Sequence, residues 1–138
     1  MDEIRREMEA KVVKSGDRHV STPVVIEFVY MPEEDPLAVM MIAHQETEAD
    51  AVWIFGRELV AAGVKAYVVH VGDGDVRFRN AGRGELIMCL RSDSGHADIQ
   101  LPTDDVEAFL ADTFQAIPLG DEHFEELMDE ALKEWLDG

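Results

Sequence analysis

The chain has 138 residues, of which 46% are hydrophobic and 30% charged, and it carries a net charge of −18. This length is typical of a single domain, and the composition excludes a disordered tail or a membrane protein. So negative a charge repels phosphate backbones and anionic lipid and favours basic partner surfaces. The single cysteine, Cys89, excludes an internal disulfide and a multi-cysteine zinc site.

The sequence contains no pattern for membrane insertion or export. The longest uninterrupted apolar stretch, residues 37–43, is far shorter than the ~20 residues that a bilayer span needs. The first residues lack the apolar core of a signal peptide. We therefore expect a cytoplasmic protein that does not insert into membranes.

The first strong pattern along the chain predicts antiparallel β-strands. Residues 24–30 alternate, so one face of this strand should carry Val24, Ile26, Phe28 and Tyr30. A turn is expected at residues 31–36. Residues 37–44 are apolar on both faces, which favours a central strand that is covered on both sides.

An acidic connection over residues 46–50 leads to the next predicted strand, residues 51–55. Trp53 and Phe55 should lie on the same side of this strand, and aromatic side chains are most often core residues. A short helix is predicted over residues 57–62, ended by Gly63 in the left-handed conformation.

The chain from residue 66 onwards predicts a β-meander. Its expected strands cover residues 66–71, 75–80, 85–91 and 96–101. The junctions are rich in Asp and Gly, which hairpin turns require.

Two C-terminal helices are predicted after the meander. The first has Thr103 as its N-cap, and its apolar stripe, expected to cover the sheet, contains Val106, Phe109, Leu110, Thr113, Phe114 and Ile117. The second begins near Asp121, with a stripe of Phe124, Leu127, Met128, Ala131, Leu132 and Trp135. Together these elements indicate one α+β domain over residues 1–138, with antiparallel sheets packed against two C-terminal helices.

No catalytic, metal or cofactor site is indicated. A Gly-x-Ser-x-Gly nucleophile motif is absent, and the five histidines are dispersed. His123 and Glu126 are at helical spacing, but two ligands are too few for a stable metal site. The Gly-Asp-Gly-Asp segment at residues 72–75 is explained by a hairpin turn.

Four arginines lie close together in the predicted meander, although the chain as a whole is acidic. Arg77 and Arg79 alternate with Val76 and Phe78, so both arginines should lie on one face, and Arg83 and Arg91 could join them. Single-stranded nucleic acid binds such patches when exposed aromatics are interleaved. Because Phe78 should face the other way, the favoured interpretation is pairing with nearby carboxylates such as Glu85 and Asp98.

A string of segments resembles the SsgA-like proteins, small regulators of sporulating actinomycetes. The matching segments are residues 35–39 (DPLAV), His44, and residues 52–63 (VWIFGRELVAAG), 72–77 (GDGDVR) and 106–110 (VEAFL). They occur in the order and spacing of that family over roughly the last three-quarters of the chain.

The resemblance implies a fold similar to that of the whirly-type proteins and assembly into a homotrimer. It also implies a non-catalytic cytoplasmic protein, without a cofactor, that acts at the division septum in sporulation. The expected partners are the tubulin-like division protein FtsZ or another SsgA-like protein. Whirly relatives bind single-stranded nucleic acid, which is the alternative function here, but the net charge of −18 argues against it.

Two sets of residues are candidate interaction sites under this hypothesis. The partner-binding candidates are acidic: Glu46, Glu48, Asp50, Glu125, Glu126, Asp129 and Glu130. The candidate subunit interface contains Trp53 and Phe55. The alternative nucleic-acid site contains Arg77, Arg79, Arg83 and Arg91.

Overall fold

Seven β-strands and two α-helices make up the described part of the chain. The computed structural model describes residues 2–14, 20–44, 49–67, 69–72, 74–93, 95–118 and 120. The elements are β1 (Ile4–Lys14), β2 (Val20–Met31), β3 (Asp35–His44), β4 (Ala51–Gly56), α1 (Arg57–Val64), β5 (Val76–Gly82), β6 (Glu85–Ser92), β7 (Gly95–Pro102) and α2 (Thr103–Ala116).

All seven strands belong to one antiparallel sheet with the order β4-β3-β2-β1-β7-β6-β5. Strands β1 to β4 form one meander and β5 to β7 another. The two meanders join where β1 pairs with β7, with Lys11 opposite Gln100 and Val13 opposite Asp98. The α+β class and the antiparallel sheet predicted from the sequence are confirmed.

The two faces of the sheet differ in what they contact. We call the face that packs against α1 and α2 the inner face, and the opposite face the outer face. Alternate residues of each strand point inward, and the core that they form with the helices includes Met8, Phe28, Phe55, Val60, Phe78, Leu86, Met88, Ile99, Leu101, Val106 and Phe109. As predicted, Val24, Ile26, Phe28 and Tyr30 share the inner face with this core.

The sheet curls around its core, so that its two edge strands approach each other. Phe55 lies on β4 and Phe78 on β5, at opposite ends of the strand order, yet their ring centroids are 5.3 Å apart. Phe28, on the second strand inward from β4, contacts Phe55 at 5.7 Å and Phe109 of α2 at 5.4 Å. These edge-to-face contacts fix the curvature.

Strand β1 was not predicted, and β2 begins at Val20 rather than at residue 24. An alternating pattern exists in β1, but two members of its inner set weaken the apolar signal. Ala10 is small, and Arg6 is charged. Arg6 is accommodated because its guanidinium donates hydrogen bonds of 3.0 and 2.6 Å to Oδ1 of Asp105 in the first turn of α2.

The strand predicted over residues 66–71 is wrong as a regular strand. Of the residues described in this segment, 66–67 and 69–71, Val71 alone forms a β-bridge, through two hydrogen bonds with Phe78 of 2.9 and 3.1 Å. The amide of Asn80 donates a further hydrogen bond of 2.7 Å to the carbonyl of Ala66. This segment therefore covers the free edge of β5 at a few points, as irregular segments often do at sheet edges.

Gly63 does not end α1 in the left-handed conformation, as the sequence suggested. The helix continues to Val64, and Gly63 is buried against β5. A Cβ atom at this position would lie 2.3 Å from Cβ of Phe78. The glycine is therefore required for close packing of helix and strand. The end of α1 is held instead by Asn80, whose side-chain amide donates a hydrogen bond of 2.7 Å to the carbonyl of Val64.

The stripe predicted for α2 is confirmed, but the predicted N-cap is wrong. Val106, Phe109, Leu110 and Thr113 are buried, and α2 packs on the sheet. Pro102 occupies the N-cap position and Thr103 is the first helical residue. Among the described residues, the buried hydroxyl of Thr103 has no hydrogen-bond partner. The second predicted C-terminal helix lies outside the described residues.

Candidate partner-binding surfaces

A buried arginine of α1 is hydrogen-bonded to the C-terminal end of α2. Arg57 is the first residue of α1 and is 0% exposed. Its Nη1 donates hydrogen bonds of 3.1 Å to the carbonyl of Thr113 and 2.7 Å to that of Ile117. The guanidinium carbon lies 4.4 Å from the ring centroid of Phe114 and 5.1 Å from that of Tyr30.

These contacts give hydrogen-bond partners to carbonyl groups at the C-terminal end of α2. The last carbonyls of a helix lack partners within the helix and carry partial negative charge, so a cation is favourable there. The aromatic rings add cation–π attraction. Sequence reasoning did not find this role, because the partners of Arg57 are 56 and 60 residues away. Its position inside the matching segment at residues 52–63 was the available signal.

The half of the outer face formed by β5, β6, β7 and β1 carries a group of cations. We call Lys11, Arg77, Arg79 and Arg91 the cationic surface. The strand register places Arg79, Ile87, Gln100 and Lys11 in one cross-strand row. Arg77, Cys89 and Asp98 form the next row, and Arg91 lies opposite His96. As predicted, Arg77 and Arg79 share one face and Phe78 points to the other.

The predicted pairing of these arginines with carboxylates is wrong. Within the described residues, no ion pair joins Arg77, Arg79, Arg83 or Arg91 to Glu85, Asp98 or another carboxylate. Arg83 lies in the turn between β5 and β6, where it adopts φ 55°. It therefore stands at the end of the hairpin and not within the cross-strand rows.

Cys89 occupies the centre of this half of the face. Burial, the largest cause, together with a hydrogen bond and the negative charge of Asp98, raises the pKa of its thiol from 9.0 to about 11. Arg79 and Arg77 act in the opposite direction but do not outweigh these causes. The thiol is therefore protonated and unreactive at neutral pH.

The half of the outer face formed by β2, β3 and β4 is more apolar. Val52 and Ile54 are 53% and 63% exposed, and both belong to β4, an edge strand of the sheet. Trp53 and Phe55 point the other way, as the alternation predicted. Phe55 is buried in the core of the protomer and Trp53 packs against that core. An interface at this strand would therefore use Val52 and Ile54 for direct contact.

Only one of the acidic partner-binding candidates lies among the described residues. Asp50 is exposed, and its Oδ2 is 3.2 Å from Nδ1 of His44 at the end of β3. The remaining candidates, Glu46, Glu48, Glu125, Glu126, Asp129 and Glu130, lie outside the described residues. Their role as a partner-binding site stays a prediction.

The described residues include neither a metal-binding cluster nor a membrane-spanning helix. They contain no group of three or more His, Cys, Asp or Glu side chains that could hold a metal ion. Neither α1 nor α2, the helices of the described part, has the length and apolar character needed to cross a membrane.

The sequence matches known proteins over most of its length. Residues 24–122 match the family described as Streptomyces sporulation and cell division protein, SsgA. A sporulation-specific cell division protein of Frankia casuarinae is 43% identical over 64% of this chain and 60% of its own length. The protein SsgB of Streptomyces coelicolor, also named as sporulation-specific, is 31% identical over 91% of this chain and 90% of its own length.

Two solved structures share the fold. One, of SsgB in a study of longitudinal cell division during sporulation of Streptomyces coelicolor, has a TM-score of 0.77 and 33% identity, covering 88% of this chain and 94% of its own. An SsgA-like protein of Thermobifida fusca has a TM-score of 0.78 and 26% identity, covering 96% and 95%. The architecture is that of sporulation-specific cell division proteins. The chain belongs to the SsgA-like family.

Proposed function

We propose that this chain is a non-catalytic adaptor of sporulation-related cell division that helps to position or recruit FtsZ at the septum. The match over residues 24–122 to a family of sporulation and cell division proteins supports this proposal. The outer face gives it a physical basis, since it presents the cationic surface on one half and exposed apolar side chains on the other. Charge complementarity and exposed apolar area are what partner proteins recognise.

We also propose that the protein works as a homotrimer in the cytoplasm. Val52 and Ile54 support self-association, because apolar side chains beside an edge strand favour pairing with another chain. A second SsgA-like protein could use the same strand. Trp53 and Phe55 would then contribute by holding β4 in place from the inner face.

The alternative function, binding of single-stranded nucleic acid, has less support. None of the described outer-face residues of β5, β6, β7 and β1 is Phe, Tyr or Trp, so these strands offer no ring of that kind on which bases could stack. The net charge of −18 also opposes a long polyanion.

The deciding experiment is mass measurement by light scattering on the purified protein, alone and mixed with FtsZ. A trimer whose mass increases with FtsZ is the expected result. The variant Val52→Ser/Ile54→Ser should be smaller than the trimer, with an unchanged far-ultraviolet circular dichroism spectrum. A monomer that is indifferent to FtsZ would overturn the proposed function.

The acidic candidates need a separate comparison in the same assay. One variant replaces Glu46, Glu48 and Asp50 with Ser, and the other replaces Glu125, Glu126, Asp129 and Glu130 with Ser. Weaker FtsZ capture by either variant, at unchanged stability, would assign the partner-binding role to that set. Unchanged capture by both would remove the acidic sites from the proposal.

A further inference from the structure

We propose that the cationic surface, Lys11, Arg77, Arg79 and Arg91, binds an extended acidic segment of a partner protein. The inference rests on the proposed adaptor role, because it names the chemistry of one partner. Under this proposal, the outer face of β5, β6, β7 and β1 binds carboxylates of the partner protein. The acidic residues considered above would instead attract basic partners.

The arginines of the cationic surface are free to bind external carboxylates. Other described arginines are already engaged: Arg5 lies 2.7 Å from Glu27, and Arg6 lies 2.6 Å from Asp105. In the described part of the chain, Arg77, Arg79 and Arg91 form no such pair, although the protein has 30 acidic residues. A surface that binds an external anion needs cations that the protein's own carboxylates have not neutralised, and these arginines meet that condition.

The single carboxylate within the rows does not neutralise them. Asp98 lies opposite Cys89 and accepts a hydrogen bond from its thiol. Glu85 of β6 and Glu7 and Glu9 of β1 also lie on this half of the face, but outside the rows that hold the four cations. The positive charge is therefore confined to these rows. Acidic residues elsewhere repel a ligand that extends beyond the surface, so a short anionic segment confined to these strands is favoured.

The spacing of the arginines matches that of an extended peptide. Arg77 and Arg79 are alternate residues of β5, so their Cα atoms are about 6.8 Å apart along the strand. An extended segment of the pattern acidic-x-acidic places its carboxylates at the same interval. Guanidinium groups bind carboxylates through two parallel hydrogen bonds, which makes arginine better suited than lysine to this role.

The same geometry favours a peptide over nucleic acid. Bases held on a sheet normally stack on aromatic rings, and the described outer-face residues of these strands include no Phe, Tyr or Trp. A peptide needs no stacking partner. Gln100, between Ile87 and Lys11 in the row of Arg79, can also donate and accept hydrogen bonds with a peptide backbone.

The test is fluorescence anisotropy of a labelled, blocked peptide of six Glu-Ala repeats titrated with the full chain at low salt. We expect saturable binding that weakens as salt is added. The same peptide with Gln in place of Glu should not bind. Because FtsZ is absent from this assay, failure here and failure of FtsZ recruitment are separate results.

Two double variants locate the site. Arg77→Gln/Arg79→Gln should weaken peptide binding about tenfold or more, since two charge-assisted contacts are lost. Lys65→Gln/Arg83→Gln removes the same charge from exposed positions outside the cross-strand rows and should change the dissociation constant less than about twofold. Thermal melting of both variants confirms that they fold.

Three outcomes would overturn the inference. The first is absence of peptide binding by the native protein. The second is equal weakening by both variants, which would mean that only net charge matters. The third is binding of a labelled 20-nucleotide oligothymidine that competes with the peptide and is tighter, which would assign the surface to nucleic acid.

Discussion

The inner and outer faces of the sheet are built from the same strands but differ in the partners of their charged side chains. On the inner side, Arg57 of α1 is fully buried and bonded to carbonyls at the end of α2, and Arg6 of β1 is ion-paired with Asp105. On the outer face, Arg77 and Arg79 alternate with buried residues of the same strand and lie in no ion pair among the described residues. The buried and ion-paired arginines near the core are structural, whereas the arginines of the cationic surface are available for binding.

This difference gives a rule for substitutions. A change on the inner face removes buried contacts and should alter the free energy of unfolding. A change on the outer face should leave stability nearly constant and alter association or reactivity.

Arg57→Ala should be the most damaging substitution. It removes both hydrogen bonds to the end of α2 and leaves a cavity beside Tyr30 and Phe114. We expect a loss of about 3–5 kcal/mol in the free energy of unfolding, measured by urea denaturation. Arg57→Met keeps much of the volume and should cost less. A loss of under about 1 kcal/mol in Arg57→Ala would contradict a structural role.

Gly63→Ala should have an intermediate effect. The added methyl group would lie 2.3 Å from Cβ of Phe78, so the helix must move away from β5. Overpacking costs about 1–3 kcal/mol, and the higher helix propensity of Ala offsets about 1 kcal/mol of that. Gly74→Ala is the matched control, because nothing lies within 4 Å of the added atom there. Equal stability of the two variants would contradict the packing role.

The smallest effect on stability is expected at Cys89, and the reactivity of its thiol tests the environment of the outer face. With its pKa raised from 9.0 to about 11, the thiol should be alkylated at pH 8 about 100-fold more slowly than an ordinary exposed thiol. The folded state holds this proton more tightly than the unfolded state. Its contribution to stability is therefore complete below pH 9.0 and is lost as the pH rises through about 11.

The variant Asp98→Asn separates the causes of this shift. Removing the Asp98 charge should lower the pKa of Cys89, while burial still holds it above 9.0. The midpoint of the iodoacetamide rate against pH should therefore move down without a change in melting temperature. A midpoint that does not move would contradict the role of Asp98.

Much of the fold could be predicted because its signals are local. The alternation in β2 and the stripe of α2 each depend on neighbouring residues only. Strand β3 was predicted to be covered on both sides, but it lies next to the edge strand and its outer-face residues are only partly buried. Strand β1 was missed because Arg6 interrupts its apolar set, and Arg6 is explained by Asp105, 99 residues later. The role of Gly63 was predicted wrongly for the same reason, because its packing partner Phe78 belongs to another element.

The candidate surfaces were predicted less completely than the fold. The common face of Arg77 and Arg79 follows from alternation within one strand. Whether a carboxylate neutralises them depends on the orientation of side chains on β6 and β7, which the sequence does not specify. Phe55 was correctly expected in the core, but the exposure of Val52 and Ile54 depends on β4 being an edge strand.

The contacts of Arg57 also determine when the protein can finish folding during synthesis. The chain leaves the ribosome from its N-terminus, so strands β1 to β4 emerge before the residues that cover them. Their inner face stays exposed until α2 has been made and Ile117 can accept its hydrogen bond from Arg57. The pairing of β1 with β7 imposes the same delay. The apolar inner face of the first four strands therefore stays incompletely covered in the nascent chain until residue 117 has left the ribosome.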